Sequence, residues 1–216
     1  MNWRIVVTCG PSYEPIDEVR RITNFSTGQL GSILSNRLAQ DGHEVICLRG
    51  SAASRSVTLD QRVMHTPFST NEDLLEKLSA LAGREHVAAV FHAAALADFT
   101  VDRAHMTRKI SSRIGPVTLK LIPATKLIGR LRELFPSGWL VGWKYEMDGS
   151  PHDAIATARE QIVENGTDAC VVNGAAYGEG YGFLPREGDL THLADKLELA
   201  AFLATQLSSG ARQATK

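Results

Sequence analysis

The sequence predicts a doubly wound α/β fold built on a mainly parallel sheet. Three observations carry this expectation. Short apolar runs alternate with amphipathic segments along the whole chain. The run 5–9 is mostly apolar, and the run 87–92 is apolar without a break up to His92, as a parallel strand covered on both faces is. A long polar, glycine-bearing loop joins the first run to the first amphipathic segment, the usual place for a ligand in such folds. With 216 residues, 44% apolar and 22% charged, the chain suits one large globular unit with a full core.

The elements follow in order. Residues 5–9 form the first strand, and 30–40 form a helix with Ile33, Leu34, Leu38 and Ala39 at helical spacing, ending at Asp41-Gly42. A strand is expected over 44–48, closed by Arg49-Gly50, then a small, polar loop to residue 59 and a third strand at 62–66. Leu74, Leu75, Leu78 and Leu81 share one face of a helix over 71–82, with Thr70 as its N-cap. After the strand 87–92 the pattern fails from 100 to 115, which is basic and without period. Together with an alternating stretch at 117–121, this marks an arm or flap over about 100–121 outside the sheet. A helix over 126–134, a strand at 139–143, a helix at 152–163 and a strand at 169–172 come next. Three glycines in 177–183 predict a flexible loop. A short edge strand at 190–193, a closing helix at 195–207 and a frayed tail at 208–216 complete the chain.

Bulk properties narrow the function. A net charge of -1 offers no basic excess for nucleic acid. No apolar run reaches the roughly 18 residues that a membrane helix needs, and no signal-peptide pattern stands at the start. Cys9, Cys47 and Cys170 each sit in or near an apolar strand, which suggests buried thiols in a reducing cytoplasm. Cys9, at the mouth of the first loop, is also a candidate nucleophile, although no His stands beside it in sequence.

The loop before the first helix carries the chemistry. Backbone N–H groups at a helix start lack partners within the helix and favour an anion. Gly28 and Gly31 have no side chain to block a phosphate or a neighbouring strand. A nucleotide or phosphate site and an ordinary strand–helix connection are both consistent with this pattern. In a doubly wound sheet the loops after residues 9 and 92 should converge on one crevice. The second begins Ala93-Ala94-Ala95-Leu96-Ala97-Asp98, leaving room for a ring or ribose, with Asp98 placed for ribose hydroxyls, a metal or a turn. Arg103, Arg108, Lys109 and Arg113 could clamp phosphates from the arm or simply be solvated. Gly-x-Gly-x-x-Gly is absent after the first strand, where Gly10-Pro11-Ser12 stands, and neither a P-loop nor a Gly-x-Ser-x-Gly elbow occurs.

Several segments in order resemble one family. Glu14-Pro15-Ile16-Asp17-x-Val19-Arg20 followed by Ile22-Thr23-Asn24-x-Ser26-Thr27-Gly28-x-x-Gly31 is similar to the N-terminal signature of the phosphopantothenate–cysteine ligases. Ala94-Ala95-Leu96-Ala97-Asp98-Phe99 is similar to their second motif, and Lys109-Ile110-Ser111-Ser112 to the flap motif of stand-alone members. Gly142-Trp143-Lys144-x-Glu146 and Val171-Val172-Asn173 fall where the family has its later nucleotide-site segments.

The resemblance implies a Rossmann-like ligase domain over 1–216, a homodimer with an arm reaching to the partner, and two-step chemistry in the cytoplasm. The carboxylate of 4′-phosphopantothenate would attack the α-phosphate of CTP or ATP, with Mg2+, and the amine of cysteine would then displace the nucleotide. Such chemistry needs positioning and charge neutralisation more than an enzyme nucleophile. Asn24 and Lys109 would be the catalytic pair. Gly10, Ser26, Thr27, Gly28, Ala94, Ala95, Asp98, Trp143, Lys144 and Asn173 would bind the nucleotide and its phosphates; the metal ligands stay unassigned. Three departures stand against the family pattern: Gly10-Pro11-Ser12 for Gly-Gly-Thr, Asn173-Gly174 for Asn-Asp, and Gln161, Glu164 and Asn165 where CTP-using fused members carry lysines. The first two keep open a nucleotide-binding protein without ligation, and the third puts CTP use in doubt, with Lys144 making the segment look more like the ATP-using, stand-alone type. A nicotinamide or flavin oxidoreductase is the other alternative, against which the missing glycine fingerprint stands.

Overall fold

The computed structural model describes residues 2–54, 57–83, 86–102, 109–111, 113 and 115–214. The chain opens with β1 (Arg4–Pro11), the hairpin β2 (Tyr13–Pro15) and β3 (Arg21–Thr23), and helix α1 (Gln29–Gln40). β4 (Glu44–Gly50), β5 (Met64–Phe68), α2 (Asn71–Ala82) and β6 (Ala89–Ala95) complete the first half. The second half has the ribbon β7 (Phe99–Val101) and β8 (Leu121–Pro123), then a 3-10 turn at Leu127–Arg130 running into α3 (Leu131–Leu134). β9 (Trp139–Tyr145), α4 (Pro151–Asn165), β10 (Ala169–Gly174), β11 (Gly178–Pro185), β12 (Thr191–Leu193) and α5 (Lys196–Ala214) follow.

Eight strands form the main sheet in the order β12-β11-β10-β9-β6-β1-β4-β5. The six from β5 to β10 are parallel; β11 and β12 are antiparallel. Counted along the chain, the parallel strands read 3-2-1-4-5-6, so the order reverses between β1 and β6. Alternation splits the core into two layers. Ile5, Val7 and Cys9 pack with Leu34 and Leu38 of α1 and Leu199 and Leu203 of α5, while Val6 packs with Leu74 and Leu78 of α2 and Leu131 of α3. Arg132 ties α3 to the start of β10: its Nη2 donates to Asp168 Oδ2 at 2.7 Å, and the same oxygen accepts from Leu140 N at 2.7 Å.

The doubly wound expectation holds, and α2 with its Thr70 cap lies where the sequence places it; Thr70 accepts from Asp73 N at 3.2 Å. Six local expectations are corrected. The stretch after β1 is not all loop, since β2 and β3 pair with Tyr13 opposite Thr23, and the Arg21 guanidinium lies 4.7 Å from the centre of the Tyr13 ring. The third strand sits two residues later than expected, with Pro67 tolerated because β5 is an edge. In place of a strand at 117–121, β8 pairs with β7 in a ribbon off the main sheet. The expected helix over 126–134 is a 3-10 turn plus a single α-helical turn, with Gly129 inside the 3-10 turn. The glycine-rich 177–183 lies mostly in strand β11: a Cβ on Gly180 would stand 2.5 Å from Leu193 O, so glycine there serves close packing. Finally, α5 continues to Ala214 where a frayed tail is expected from 208, with Gly210 against the Trp139 indole; 215 and 216 lie outside the described residues.

Candidate active site

The reversal between β1 and β6 opens a cavity of roughly 1170 Å³ at the carboxyl ends of the strands. Its wall brings together Gly10, Asn24, Ser26, Thr27, Gly28, Ala94, Ala95, Asp98, Trp143, Lys144 and Asn173. Two of these glycines are dictated by backbone geometry. Gly10 has φ 76° and Gly28 φ 69°, and each lies against Ala53, which a Cβ would approach to 3.1 and 3.2 Å. Gly31 lets α1 sit directly on β1, where a Cβ would come within 2.2 Å of the Cys9 Cβ. These glycines therefore build the strand–helix junction as well as clearing space for a ligand. The turn carrying Ala53, closed by its N–H to Gly50 O at 3.0 Å, covers the β4 side of the junction. The cavity extends instead toward β6, β9 and β10.

Entry to α1 is suited to an anion. Gly28 is the N-cap without a side-chain bond, and the first turn holds no acidic residue. The Thr27 hydroxyl accepts from Gln29 N at 3.2 Å. Across the reversal, the loops after β1 and β6 are stitched together. Ser12 N donates to Ala95 O at 3.2 Å, Ala97 N to Ser12 Oγ at 2.8 Å, and Thr23 Oγ1 to Ser12 O at 2.7 Å. Asn24 is fixed by its Nδ2, which donates to Leu96 O at 2.8 Å. Its second N–H and its carbonyl keep their capacity for a ligand. Asn71, at the start of α2, donates to Ala97 O at 2.9 Å, while its buried Oδ1 has no partner among the described residues.

The far wall comes from β9, β10 and α4. Trp143 packs against the layer under α1 and α5, and its Nε1 is buried without an acceptor among the described residues. Lys144 pairs with Glu146 at 3.0 Å. Gln161 is locked inward, donating to Trp143 O at 3.2 Å and accepting from the Cys170 thiol at 3.2 Å. Burial pushes that thiol up to about 12.

Two expected groups stand apart. Lys109 is exposed and does not line the cavity, and Arg103 and Arg108 lie outside the described residues. Neighbouring Ile110 is gripped by the β2–β3 turn: its N–H donates to Asp17 Oδ2 at 3.1 Å, and its carbonyl accepts from Arg20 Nη1 at 3.1 Å. Burial alone would raise the Asp17 carboxyl, but N–H groups of Val19, Ile110 and Arg20, with the Arg20 guanidinium, outweigh it and hold it at about 2. Cys9 touches the cavity, yet its hydrogen bond with Cys47, 3.9 Å away, and its burial push the thiol well above its ordinary range. This is the opposite of an activated nucleophile.

Sequence reasoning missed Asn71, His92, Gln29, Tyr181 and Lys196, all on the wall. His92 is buried midway along β6, its Nδ1 2.8 Å from Thr8 Oγ1, and burial lowers its pKa to about 4. Lys196, at the start of α5, reaches Gln29 from 167 positions away. No group of three or more His, Cys, Asp or Glu side chains suited to a metal occurs among the described residues. Among them, no helix is long and apolar enough to cross a membrane.

The family described as DNA/pantothenate metabolism flavoprotein C-terminal domain matches residues 1–211. The chain is 35% identical over 171 residues to the coenzyme A biosynthesis bifunctional protein CoaBC of Thermococcus kodakarensis, which covers 79% of this chain and 41% of that protein. The protein of the same name from Bacillus subtilis is 31% identical over 182 residues, 82% of this chain and 42% of that one. The chain thus spans less than half the length of these relatives. Among solved structures, the DNA/pantothenate metabolism flavoprotein from Streptococcus pneumoniae superposes with a TM-score of 0.82 at 24% identity, over 96% of this chain and 99% of that one. A Cab2 mutant in complex with phosphopantothenate-cysteine gives 0.81 at 17% identity, over 99% and 87%. At these identities the two structures establish the fold.

Proposed function

Since the chain belongs to the DNA/pantothenate metabolism flavoprotein C-terminal domain family, we propose that it is a phosphopantothenate–cysteine ligase using CTP or ATP with Mg2+. The observation that carries this reading is the convergence of both signature segments on one cavity. Asn24 to Gly28 and Ala94 to Asp98 meet there across the reversal of the sheet. The relatives named for coenzyme A biosynthesis and the Cab2 complex support the same substrates.

In the first step a carboxylate oxygen of 4′-phosphopantothenate attacks the α-phosphorus, and the bond to the β-phosphate breaks to release pyrophosphate. In the second, the amine of cysteine attacks the acyl carbon, loses a proton and expels the nucleoside monophosphate. The N-terminal end of α1, with Ser26, Thr27 and Gly28, receives phosphate oxygens. Asn24, held by Leu96 O, offers an uncharged donor and acceptor to the mixed anhydride. Trp143 flanks the base, and Lys144 and Asn173 complete that wall. Lys109, next to Ile110 that Asp17 and Arg20 hold, would neutralise charge on the triphosphate as pyrophosphate leaves. Mg2+ would be held chiefly by phosphate oxygens and water, with Asp98 among the carboxylates on the wall, which also carries Glu160 and Glu164. Phe99, Leu121 and Ile122 are exposed on the β7–β8 ribbon, and a second copy of the chain would cover them in a homodimer. Three free, buried thiols suit the cytoplasm.

A dinucleotide oxidoreductase is disfavoured by the turn at Ala53, because a dinucleotide straddles both sides of the reversal and the β4 side is covered. The deciding experiment measures pyrophosphate release by the purified protein with Mg2+, 4′-phosphopantothenate and either CTP or ATP, with and without cysteine. Release accompanied by phosphopantothenoylcysteine establishes the ligase and names the nucleotide. Binding of a nucleotide with no release under any of these conditions overturns the ligase and leaves a binding protein.

A further inference from the structure

We propose that Lys196 is a triphosphate-binding residue of this cavity and that Gln29 positions it. The inference rests on the nucleotide reading of the cavity, not on the ligation. Lys196 Nζ donates to Gln29 Oε1 at 2.8 Å, and both residues line the cavity beside Thr27 and Gly28. Gln29 is the first residue of α1, so its amide holds the ammonium at the end of the helix that attracts anions. The lysine is half-buried, and no carboxylate among the described residues pairs with it. Neighbouring Asp195 is already engaged, its Oδ1 accepting from Leu197 N at 2.8 Å and Glu198 N at 2.9 Å as the cap of α5. A half-buried ammonium whose partner is a neutral amide keeps its full charge available for a ligand.

Its position also runs against local electrostatics. Lysine at the first position of a helix sits at the positive end of the macrodipole, where carboxylates are favoured. Local rules broken in this way mark functional placement when the side chain points to a site. Here the same residue would add a mobile, multidirectional donor to the fixed N–H groups of α1, one that can follow the phosphates as pyrophosphate separates.

Calorimetric titration tests this with ATP, CTP, adenosine and cytidine on the wild type, Lys196→Met, Lys196→Arg and Gln29→Leu. Loss of one charge-assisted contact should weaken triphosphate binding about ten- to a hundredfold in Lys196→Met, with nucleoside binding unchanged. Lys196→Arg should recover most of that loss, and Gln29→Leu should show a smaller one. The salt dependence of triphosphate binding should also be shallower in Lys196→Met. A lysine that merely ties α5 to α1 would lower the melting temperature yet leave triphosphate affinity intact, and that result overturns the proposal. So does an equal loss for nucleoside and triphosphate. A wild type that binds no triphosphate overturns the nucleotide site and this proposal together. A wild type that binds ATP or CTP but never ligates removes only the ligase, and the Lys196 comparison then still decides.

Discussion

Replacing Asn24 by alanine separates chemistry from folding. The side chain is exposed, and its one bond among the described residues is Nδ2 to Leu96 O at 2.8 Å. Removing an exposed hydrogen bond costs at most about 0.5–1.5 kcal/mol. For a chain of this size that lowers the melting temperature by a few degrees, since about 1 kcal/mol corresponds to roughly 2–4 °C. The catalytic loss should be larger. One preorganised donor aimed at charge that develops in the transition state is worth about 10² to 10³ in rate, or about 2.7–4 kcal/mol. Asn24→Asp sharpens the test, because it keeps the shape and adds a negative charge facing the reacting anions. At about 4 Å and an effective dielectric near 20, that repulsion is about 4 kcal/mol. Asn24→Asp should therefore be slower than Asn24→Ala, although it replaces the amide most closely in size. Pyrophosphate release under saturating nucleotide, run beside thermal melts, measures both. Turnover in Asn24→Ala within about threefold of wild type, or Asn24→Asp faster than Asn24→Ala, would refute the assigned role.

Three further outcomes are expected. Gly31→Ala should lower stability by about 1–3 kcal/mol in denaturant melts, since its Cβ would fall 2.2 Å from that of Cys9; Gly83→Ala, at φ -76° with its nearest contact at 3.6 Å, should be near neutral. His92, lowered to about 4 by burial, should make the protein more stable as pH rises from about 4 to 6.5: the unfolded chain binds the proton over that window and the fold does not, so the contribution is complete above 6.5 and lost toward 4. Melts of wild type and His92→Gln across that range should converge in slope only if another group is responsible. Cys9→Ala should keep pyrophosphate release within about threefold, and a loss of a hundredfold or more would restore Cys9 as a nucleophile.

What the sequence made legible followed from local periodicity. Helix α2 could be placed to the residue because four leucines share one face and Thr70 caps it. The apolar runs gave the parallel core, and the parallel core told where the loops would meet. Strand β11 was illegible because glycine reads as freedom in one dimension, while in three it admits the Leu193 carbonyl beside Gly180. The β2–β3 hairpin was missed for another reason: Tyr13-Glu14-Pro15 is only three residues long, with no tight-turn dipeptide to announce it. Within the site, Asn24 and Asp98 stood in recognisable segments, whereas Lys196 meets Gln29 only through the packing of α5 on α1. Contacts 167 positions apart leave no periodic trace.

The departures that kept a binding-only protein open look different in three dimensions. Pro11 lacks an N–H, but it is buried at the end of β1 and does not line the cavity, where Gly10 does. Its carbonyl instead lies so near Gly50 that a Cβ there would be 2.1 Å away, so this junction is built for contact between β1 and β4. The second departure, Gly174, has φ 118°, and a Cβ would stand 2.2 Å from Glu146 O. An aspartate at 174 could not fit without moving the Tyr145-Glu146 backbone, which Asn173 O holds through Glu146 N at 2.9 Å. Glycine there keeps Asn173 and Lys144 on the same wall. Both departures thus trade side chains for close backbone approach and leave the cavity wall intact, so Gly174→Asp should weaken nucleotide binding in a titration where the native glycine supports it.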